Sequence, residues 1–559
     1  MPEKMPALVR ILKWTGISLA VLTAAIAVLM WSLYLSSDLK MPDCEFHDDE
    51  ELLFSDSLRV YGDNWLRLSE SGLWEMKVSG SAPDRGYAAG RLSRDLLLYQ
   101  ENVFIEQIRR IIPSDSYLKF LHFFIIMFNR NLGENVPEEF RNEIYGLSQS
   151  CTHEFDMIGT PYERQMQYHS AHDIGHVMQD YMMVGCSSFG CWGSESEDGG
   201  LIIGRNFDFY MGDDFSRNKL VTFCCPDEGY SFASVGWPGM TGVLSGMNEA
   251  GLTVTINASK SDIPTSSATP ISILAREILQ YASDIGEAYA IAGRRRTFVS
   301  ESILIGSAKD GVAAIIEKSP DRMSLLLPGK DSLRIVCTNH FQSPLFMEDR
   351  RNIENIRTSD SRYRHGRIEE LLDSIGPVGP AEAAYVLRNR KGMGGCELGH
   401  TNELAVNQLL AHHGVVFRPD SLLMWVSTAP WQCGGFVCYD LRKIFGGEDG
   451  PEAEITLTDH RIPPDPFLRS SGFRDALDYR RLASYIRSAI DGGYPVPQDS
   501  LDRMLASNPF FYDAYDISGD YYESMGDFEK AAAMWEKALS FPLPKTWLKD
   551  VIQRKIDKL

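Results

Sequence analysis

The sequence predicts an α+β protein in which antiparallel sheets carry helices packed on their outer faces. Three observations lead there. Between Gly86 and His176 apolar residues recur at three- and four-residue spacing, the pattern of amphipathic helices. From Cys186 onward short apolar runs alternate with tight-turn signals, the pattern of consecutive β-hairpins. Further helical stretches then come in blocks of their own rather than mixed into the strands.

At the N-terminus, Trp14 to Ser37 contains no charged residue and is long enough to span a hydrocarbon core as a helix. Trp14, Trp31 and Tyr34 lie toward its ends, where aromatic rings favour the membrane interface. A signal peptide is the alternative. Its apolar core would be shorter and a small-x-small cleavage site would follow, whereas Ser32-Leu-Tyr-Leu-Ser-Ser37 stands there. Lys4, Arg10 and Lys13 precede the run and favour an N-terminus held inside. The expectation is one uncleaved transmembrane helix in a single-pass protein, with the catalytic part on the exported (periplasmic or extracytoplasmic) side.

Residues 38 to about 80 are mixed and polar. Helical runs follow at Leu96–Ile112, Tyr117–Phe128 and Glu138–Leu147, punctuated by Pro113 and Pro137. The hairpin region carries turns at Asp198-Gly-Gly, Asp227-Glu-Gly, Asn248-Glu-Ala-Gly, Asp310-Gly and Pro328-Gly-Lys-Asp. Helices interrupt it at Ile271–Arg294, Arg362–Ile375 and Pro380–Arg390, and strands resume at Gly414–Val426. Gly446-Gly-Glu-Asp-Gly-Pro and Ile462-Pro-Pro-Asp-Pro mark a linker. Beyond it, Tyr515 to about Pro544 resembles one tetratricopeptide unit through Gly519, Tyr522, Gly526, Ala531, Trp535 and Ala538, with Ser518 where Leu is usual. A solenoid needs about three repeats to bury a core, so a helical cap docked on the catalytic domain is favoured over a partner-binding array. The chain divides into an anchor (1–37), a helical pro-segment (38–185), a catalytic domain (186–445), a linker (446–466) and a helical tail (467–559).

A net charge of -21 repels phosphate backbones and argues against nucleic-acid binding. The ten cysteines are scattered and form no CxxC pair, which argues against a zinc ribbon and a compact disulfide framework. In an exported domain Cys433 and Cys438 would be the nearest candidates for a disulfide.

The segment richest in chemistry is Gly185-Cys-Ser-Ser-Phe-Gly-Cys-Trp-Gly193, followed by Asp198-Gly-Gly-Leu-Ile-Ile-Gly-Arg-Asn-Phe-Asp-Phe209. It reads as a strand, a turn and a returning strand that folds Arg205 and Asp208 back toward Cys186. A thiol in such surroundings is a candidate nucleophile, but it needs a base, and no histidine follows closely. A cysteine at a chain terminus needs none, because a free α-amine, with a pKa of about 7.7–8.0, is itself the base.

Gly-Cys-Ser-Ser followed by Gly-Arg-Asn-Phe-Asp-Phe resembles the penicillin acyltransferase family of N-terminal-nucleophile cysteine hydrolases. More distantly it is similar to bile-salt hydrolases, acid ceramidase and phospholipase-B-like proteins. The resemblance covers roughly Gly86 to Leu441. It implies a four-layer αββα sandwich and a precursor that cuts itself between Gly185 and Cys186. It also implies Cys186 as the nucleophile, Arg205 and Asp208 as the pair bordering it, Asn257 as the oxyanion-hole side chain and Asn339 as a second active-site asparagine. The anchor of Asn257 is the hairpin Gly246-Met-Asn-Glu-Ala-Gly-Leu252; that of Asn339 is Cys337-Thr-Asn-His-Phe341. Bile-salt hydrolases carry a late arginine that has no evident counterpart here; the corresponding stretch is Leu410-Ala-His-His-Gly-Val-Val-Phe417, with His412 or His413 nearest the site.

Plainer readings stand beside these. Cys191, Cys224, Cys225 and Cys337 read as small buried hydrophobes. Arg205 and Asp208 also fit a structural ion pair, Asn257 and Asn339 also fit strand-end caps, and Asn248 reads as a turn residue. His169, His172 and His176 share a helical face, which suits zinc. They precede the cut and the family needs no metal, so packing is favoured, and neither metal nor cofactor is expected. The implied activity is hydrolysis or transfer at a small-molecule N-acyl amide, peptide or lipid. The alternatives are a phospholipase-B-like lipid hydrolase, and a membrane-tethered scaffold with an inert catalytic fold and a protein partner at its tail.

Overall fold

The computed structural model describes residues 39–48, 50–55, 57–111, 129, 131–177, 185–262, 268–447 and 450–559, with scattered positions between Trp14 and Ser32. Four strands come first: β1 (Leu52–Phe54), β2 (Leu58–Tyr61), β3 (Asn64–Leu68) and β4 (Trp74–Gly80). Helices α1 (Ala82–Ile111), α2 (Glu138–Ser148) and α3 (Pro161–Val177) follow. The expected helix at Tyr117–Phe128 lies outside the described residues.

After Cys186 come β5 (Ser187–Cys191), β6 (Ile202–Phe207), β7 (Leu220–Pro226), β8 (Phe232–Gly236), β9 (Ser245–Asn248) and β10 (Leu252–Ala258). Helices α4 (Ile271–Tyr281) and α5 (Ile285–Arg294) lead to β11 (Glu301–Ser307), β12 (Val312–Lys318), β13 (Met323–Leu326) and β14 (Arg334–Cys337). Then come α6 (Arg350–Thr358), α7 (Ser361–Ile375) and α8 (Pro380–Leu387), and finally β15 (His413–Arg418), β16 (Leu423–Ser427) and β17 (Phe436–Asp440).

These strands form two sheets. The larger has the order β1-β2-β3-β4-β7-β8-β9-β10-β11-β12-β13, the smaller β14-β5-β6-β15-β16-β17. All pairings are antiparallel except β4 with β7. Three apolar layers separate four layers of structure. Ala88, Leu92 and Leu96 of α1 and Leu274 and Ile278 of α4 pack on Val254, Ile256, Ile303 and Ile305 of the larger sheet. Phe223, Val235, Met247 and Leu304 on its other face meet Ile203, Val415, Phe417 and Met424 of the smaller sheet. Ile202, Val416 and Trp425 then face Ile368 and Leu371 of α7 and Ala384 and Leu387 of α8. Neighbours such as Ile202 and Ile203 point to opposite faces, as the two-residue strand period requires, and both faces are covered.

The stretch read from composition as mixed and polar therefore holds four strands. Charges on strand interiors hide their alternation: Arg67 Nε lies 2.7 Å from Glu75, whose other oxygen accepts from Tyr439 at 2.8 Å. Each carboxylate and guanidinium is buried with its partner, which is why these charges survive in the sheet.

Most of Trp14–Ser37 lies outside the described residues. A membrane span needs about 20 consecutive apolar helical residues, and among the described residues no helix is long and apolar enough to cross a membrane. That corrects the expected single-pass localisation with an exported catalytic domain. The described cysteines, Cys433 and Cys438 among them, are free thiols, so the suggested disulfide is corrected as well.

The tail forms five helices, α10 (Ser471–Gly492), α11 (Gln498–Ser507), α12 (Tyr512–Ser524), α13 (Phe528–Leu539) and α14 (Thr546–Asp557), beyond the short α9 (Leu441–Gly446). Gly519 is needed where α12 meets α13, because a Cβ there would stand 2.3 Å from the Trp535 indole nitrogen. The tail is tied to the two-sheet body. Asn508 exchanges two hydrogen bonds with the His400 backbone at 2.7 and 3.0 Å, and Arg480 reaches Asp213 at 3.1 Å and donates to the Leu409 carbonyl.

Candidate active site

The β5–β6 hairpin sets Ser188 opposite Arg205 and Ser187 opposite Asn206, so Arg205 returns beside the residue that starts β5. Cys186 is fully buried, and its sulfur lies 3.5 Å from Arg205 Nη2. The same guanidinium donates to Ile256 O at 2.5 Å, Leu244 O at 3.2 Å and Ser245 Oγ at 2.7 Å, crossing to the larger sheet. Its charge also lies over the Phe207 ring, 4.6 Å from the centroid. Burial pushes the Cys186 thiol up to about 11, while the adjacent Arg205 charge pulls it down.

Asp208 is fully buried, and neither carboxylate oxygen has a hydrogen-bond partner. Burial raises its carboxyl to about 7, opposed by the charges of Arg364 and Arg205. The Asp208 carbonyl accepts from Gly185 N at 3.1 Å, which fixes the peptide just before the cysteine.

Asn257 and Asn339 come to the same region by different routes. On β10, Asn257 Nδ2 donates to Cys337 O at 3.1 Å and its Oδ1 accepts from Ser188 Oγ at 3.1 Å. Asn339, after β14, donates through Nδ2 to Ala258 O at 2.9 Å. Its Oδ1 accepts from Arg364 Nη2 at 2.6 Å, an orientation that follows because a guanidinium only donates. Asn248, by contrast, is a turn residue: its amide donates to Leu279 O and Ala282 O at 2.8 Å, and its oxygen accepts from Ala250 N and Leu252 N.

The sequence reading missed Arg364. It is fully buried on α7 and donates to Cys186 O at 2.7 Å and Ser187 Oγ at 2.9 Å, while pairing with Asp360 at 2.7 Å. A late arginine thus does stand beside the cysteine, but upstream of the stretch where one was sought. The signal that could have found it is its place on the apolar stripe of α7, with Ile368, Leu371 and Leu372 at helical spacing.

His413 reaches the site through an intermediary: its Nε2 pairs with Ser245 Oγ at 2.8 Å, and its Nδ1 with His412 Nδ1 at 2.9 Å. Both rings are neutral. Burial drives His412 down to about 3 and His413 well below its ordinary value, helped by Arg205 and Lys219. Since Ser245 receives the Arg205 proton, its own hydroxyl donates to His413, and His413 donates onward to His412. Neither histidine touches the thiol.

His169 is packed rather than ligating: Nδ1 bonds Gln165 O at 2.7 Å and Nε2 accepts from Thr241 N at 3.0 Å. The side chains of His172 and His176 lie outside the described residues, and no metal-ligating cluster occurs among the described ones.

Residues 195–396 match the profile of the family described as acyl-coenzyme A:6-aminopenicillanic acid acyl-transferase. An uncharacterized protein of Archaeoglobus fulgidus is 24% identical over 343 residues, covering 55% of this chain and 56% of that one. Protein dcd1B of Dictyostelium discoideum is 24% identical over 266 residues, covering 44% and 50%. The chain thus spans about half the length of the curated relatives it matches. Among solved structures, the Caenorhabditis elegans ortholog of N-acylethanolamine-hydrolyzing acid amidase aligns with a TM-score of 0.31 and 18% identity, over 42% of this chain and 93% of that one. The central part of the chain is similar to the acyl-coenzyme A:6-aminopenicillanic acid acyl-transferase family, in keeping with the resemblance read from the motifs around Cys186.

Proposed function

We propose that this chain is an N-terminal-nucleophile cysteine hydrolase of the αββα kind that cuts itself before Cys186 and then cleaves linear N-acyl amides or peptides. The observation that carries the reading is the contact of a buried thiol with an arginine whose other acceptors are all neutral, at the residue that a cut after Gly185 would make an N-terminus. In the mature form the new α-amine takes the thiol proton. The orphaned Asp208 carboxylate supports this, since a free amine at Cys186 is the donor it lacks in the whole chain. The thiolate, favoured by Arg205, attacks the substrate carbonyl; an amine leaves and water or a second amine releases the acyl group. Asn257 has a second amide hydrogen beyond the one given to Cys337 O, and that hydrogen serves the oxyanion. Arg364 and Asn339 hold the Cys186 backbone in place.

The test is the mass and N-terminal sequence of the purified protein beside Cys186→Ala, with both assayed on a panel of N-acyl amides. Two co-purifying fragments, one beginning Cys186-Ser-Ser and absent in the variant, are expected, with amide hydrolysis only in the wild type. A single whole chain in both preparations overturns the self-cleaving mechanism.

A further inference from the structure

The proposed self-cleavage needs an electrophile held for attack and a donor for the charge that develops on it, and the residues around the Gly185 carbonyl supply both. Gln408, 1% exposed, directs Nε2 at the Gly185 carbonyl oxygen from 3.4 Å. On the far side of the same bond, Arg364 holds the Cys186 carbonyl at 2.7 Å, and Gly185 N is bound to Asp208 O at 3.1 Å. Backbone groups on both sides of the bond to be cut are therefore held. Resting on the self-cleavage reading, we infer that Gln408 is the oxyanion donor of the scission step, acting on the Gly185 carbonyl and not on later substrates.

Three features support this. At 3.4 Å the amide is only a long donor to the ground-state carbonyl, and a bond that shortens as the oxyanion forms favours the transition state over the reactant. Residue 185 must be glycine for the amide to approach, since a Cβ there would lie 2.5 Å from Gln408 Nε2. The loop that presents Gln408 is held against strain: Leu409 adopts a left-handed φ of 55°, fixed by Asn407 Oδ1 accepting from Leu409 N at 2.9 Å and by Arg480 on the Leu409 carbonyl. Asn257 points its bonded amide hydrogen at Cys337 O, so the two amides serve different carbonyls.

The step balances as follows. The Cys186 sulfur bonds the Gly185 carbonyl carbon, and the oxyanion rests on Gln408. Collapse breaks the Gly185–Cys186 C–N bond, and the thiol proton ends on the departing nitrogen, now the α-amine. Water then opens the thioester to a Gly185 carboxylate and the free thiol, so one water is added across one peptide bond.

The experiment follows cutting of the full chain over time in wild type, Gln408→Ala, Gln408→Glu and Gly185→Ala. A parallel set carries a site for an added protease whose cut exposes Cys186. In Gly185→Ala the atom displaced is the far end of a flexible side chain, so the fold survives while the amide moves. Loss of one such donor slows cutting about 10²–10³-fold. All three variants are expected to stay whole, while the protease-cut Gln408 variants hydrolyse amides within severalfold of protease-cut wild type. If wild type cuts and Gln408→Ala cuts as fast, this assignment alone is overturned. If the protease-cut variants are also dead, Gln408 is a structural residue and the assignment falls. A wild-type chain that never cuts overturns it together with the reading on which it rests.

Discussion

Two arginines lie fully buried beside the same cysteine, and their surroundings differ in kind. Arg205 hydrogen-bonds two carbonyls, a serine hydroxyl and the thiol, all neutral in the whole chain. Arg364 is paired with Asp360 at 2.7 Å and spends its remaining donors on Cys186 O, Ser187 Oγ and Asn339 Oδ1. A guanidinium neutralised by a carboxylate acts mainly as a rigid fork of donors. One hydrogen-bonded only to neutral groups still acts through its field on the titratable groups beside it, here Cys186 and Asp208. On the proposed mechanism, Arg205 acts on the sulfur's proton and Arg364 on the position of the backbone that carries the sulfur.

The largest test of that contrast is Arg205→Leu. Without the charge, the pH midpoint for alkylation of Cys186 in the cut protein shifts upward, and kcat/KM for an amide falls about 10³-fold. Arg205→Lys recovers part of both. An unmoved midpoint would mean that Arg205 only fills space. Next comes Arg364→Lys, which keeps a charge and loses the fork: turnover falls about 10–100-fold with the alkylation midpoint unchanged. If that midpoint moves as far as in Arg205→Leu, the division of labour is wrong.

A smaller effect is expected from Asp208→Asn in the uncut Cys186→Ala chain. The buried carboxyl is raised from an ordinary 3.8 to about 7, so between those values the folded chain keeps a proton that the unfolded chain has lost. Stability consequently falls as pH rises through that window and stays low above it. The asparagine variant removes this loss, and its Tm at pH 8 should exceed the parent's by a few degrees, with the gap closing toward pH 4. Parallel Tm curves would mean that the carboxylate has found a partner. The smallest change belongs to His413. His413→Gln still accepts from Ser245 and should leave kcat/KM within about threefold, whereas His413→Leu strands that hydroxyl and costs about 1–3 kcal/mol of stability in urea unfolding.

The contrast also explains what the sequence could reveal. Cys186, Arg205 and Asp208 are joined by one hairpin, so counting along two strands brings them together, and turn signals such as Asp198-Gly-Gly mark where the chain reverses. Arg364, Gln408 and Ser245 join the site through tertiary packing of α7, a loop and β9, for which no local spacing exists. Within the described residues, helical blocks such as Glu138–Leu147 and Arg362–Ile375 were legible from their apolar periodicity. Strands β1–β4 were not, because Arg67 and Glu75 neutralise each other inside the sheet and look like surface charge when read in line. The run Trp14–Ser37 shows only its hydrophobicity in sequence; among the described residues no helix is long and apolar enough to cross a bilayer.

The ties between tail and loop have a consequence for timing. Arg480 and Asn508 hold the two ends of the segment from His400 to Leu409 that presents Gln408, yet one lies on α10 and the other just after α11. During synthesis the hairpin bearing Cys186 leaves the ribosome long before them. A nascent chain would then hold Cys186 beside a loop still lacking the Arg480 and Asn508 contacts. The bracing of that loop therefore comes from partners 71 and 108 positions further along the chain.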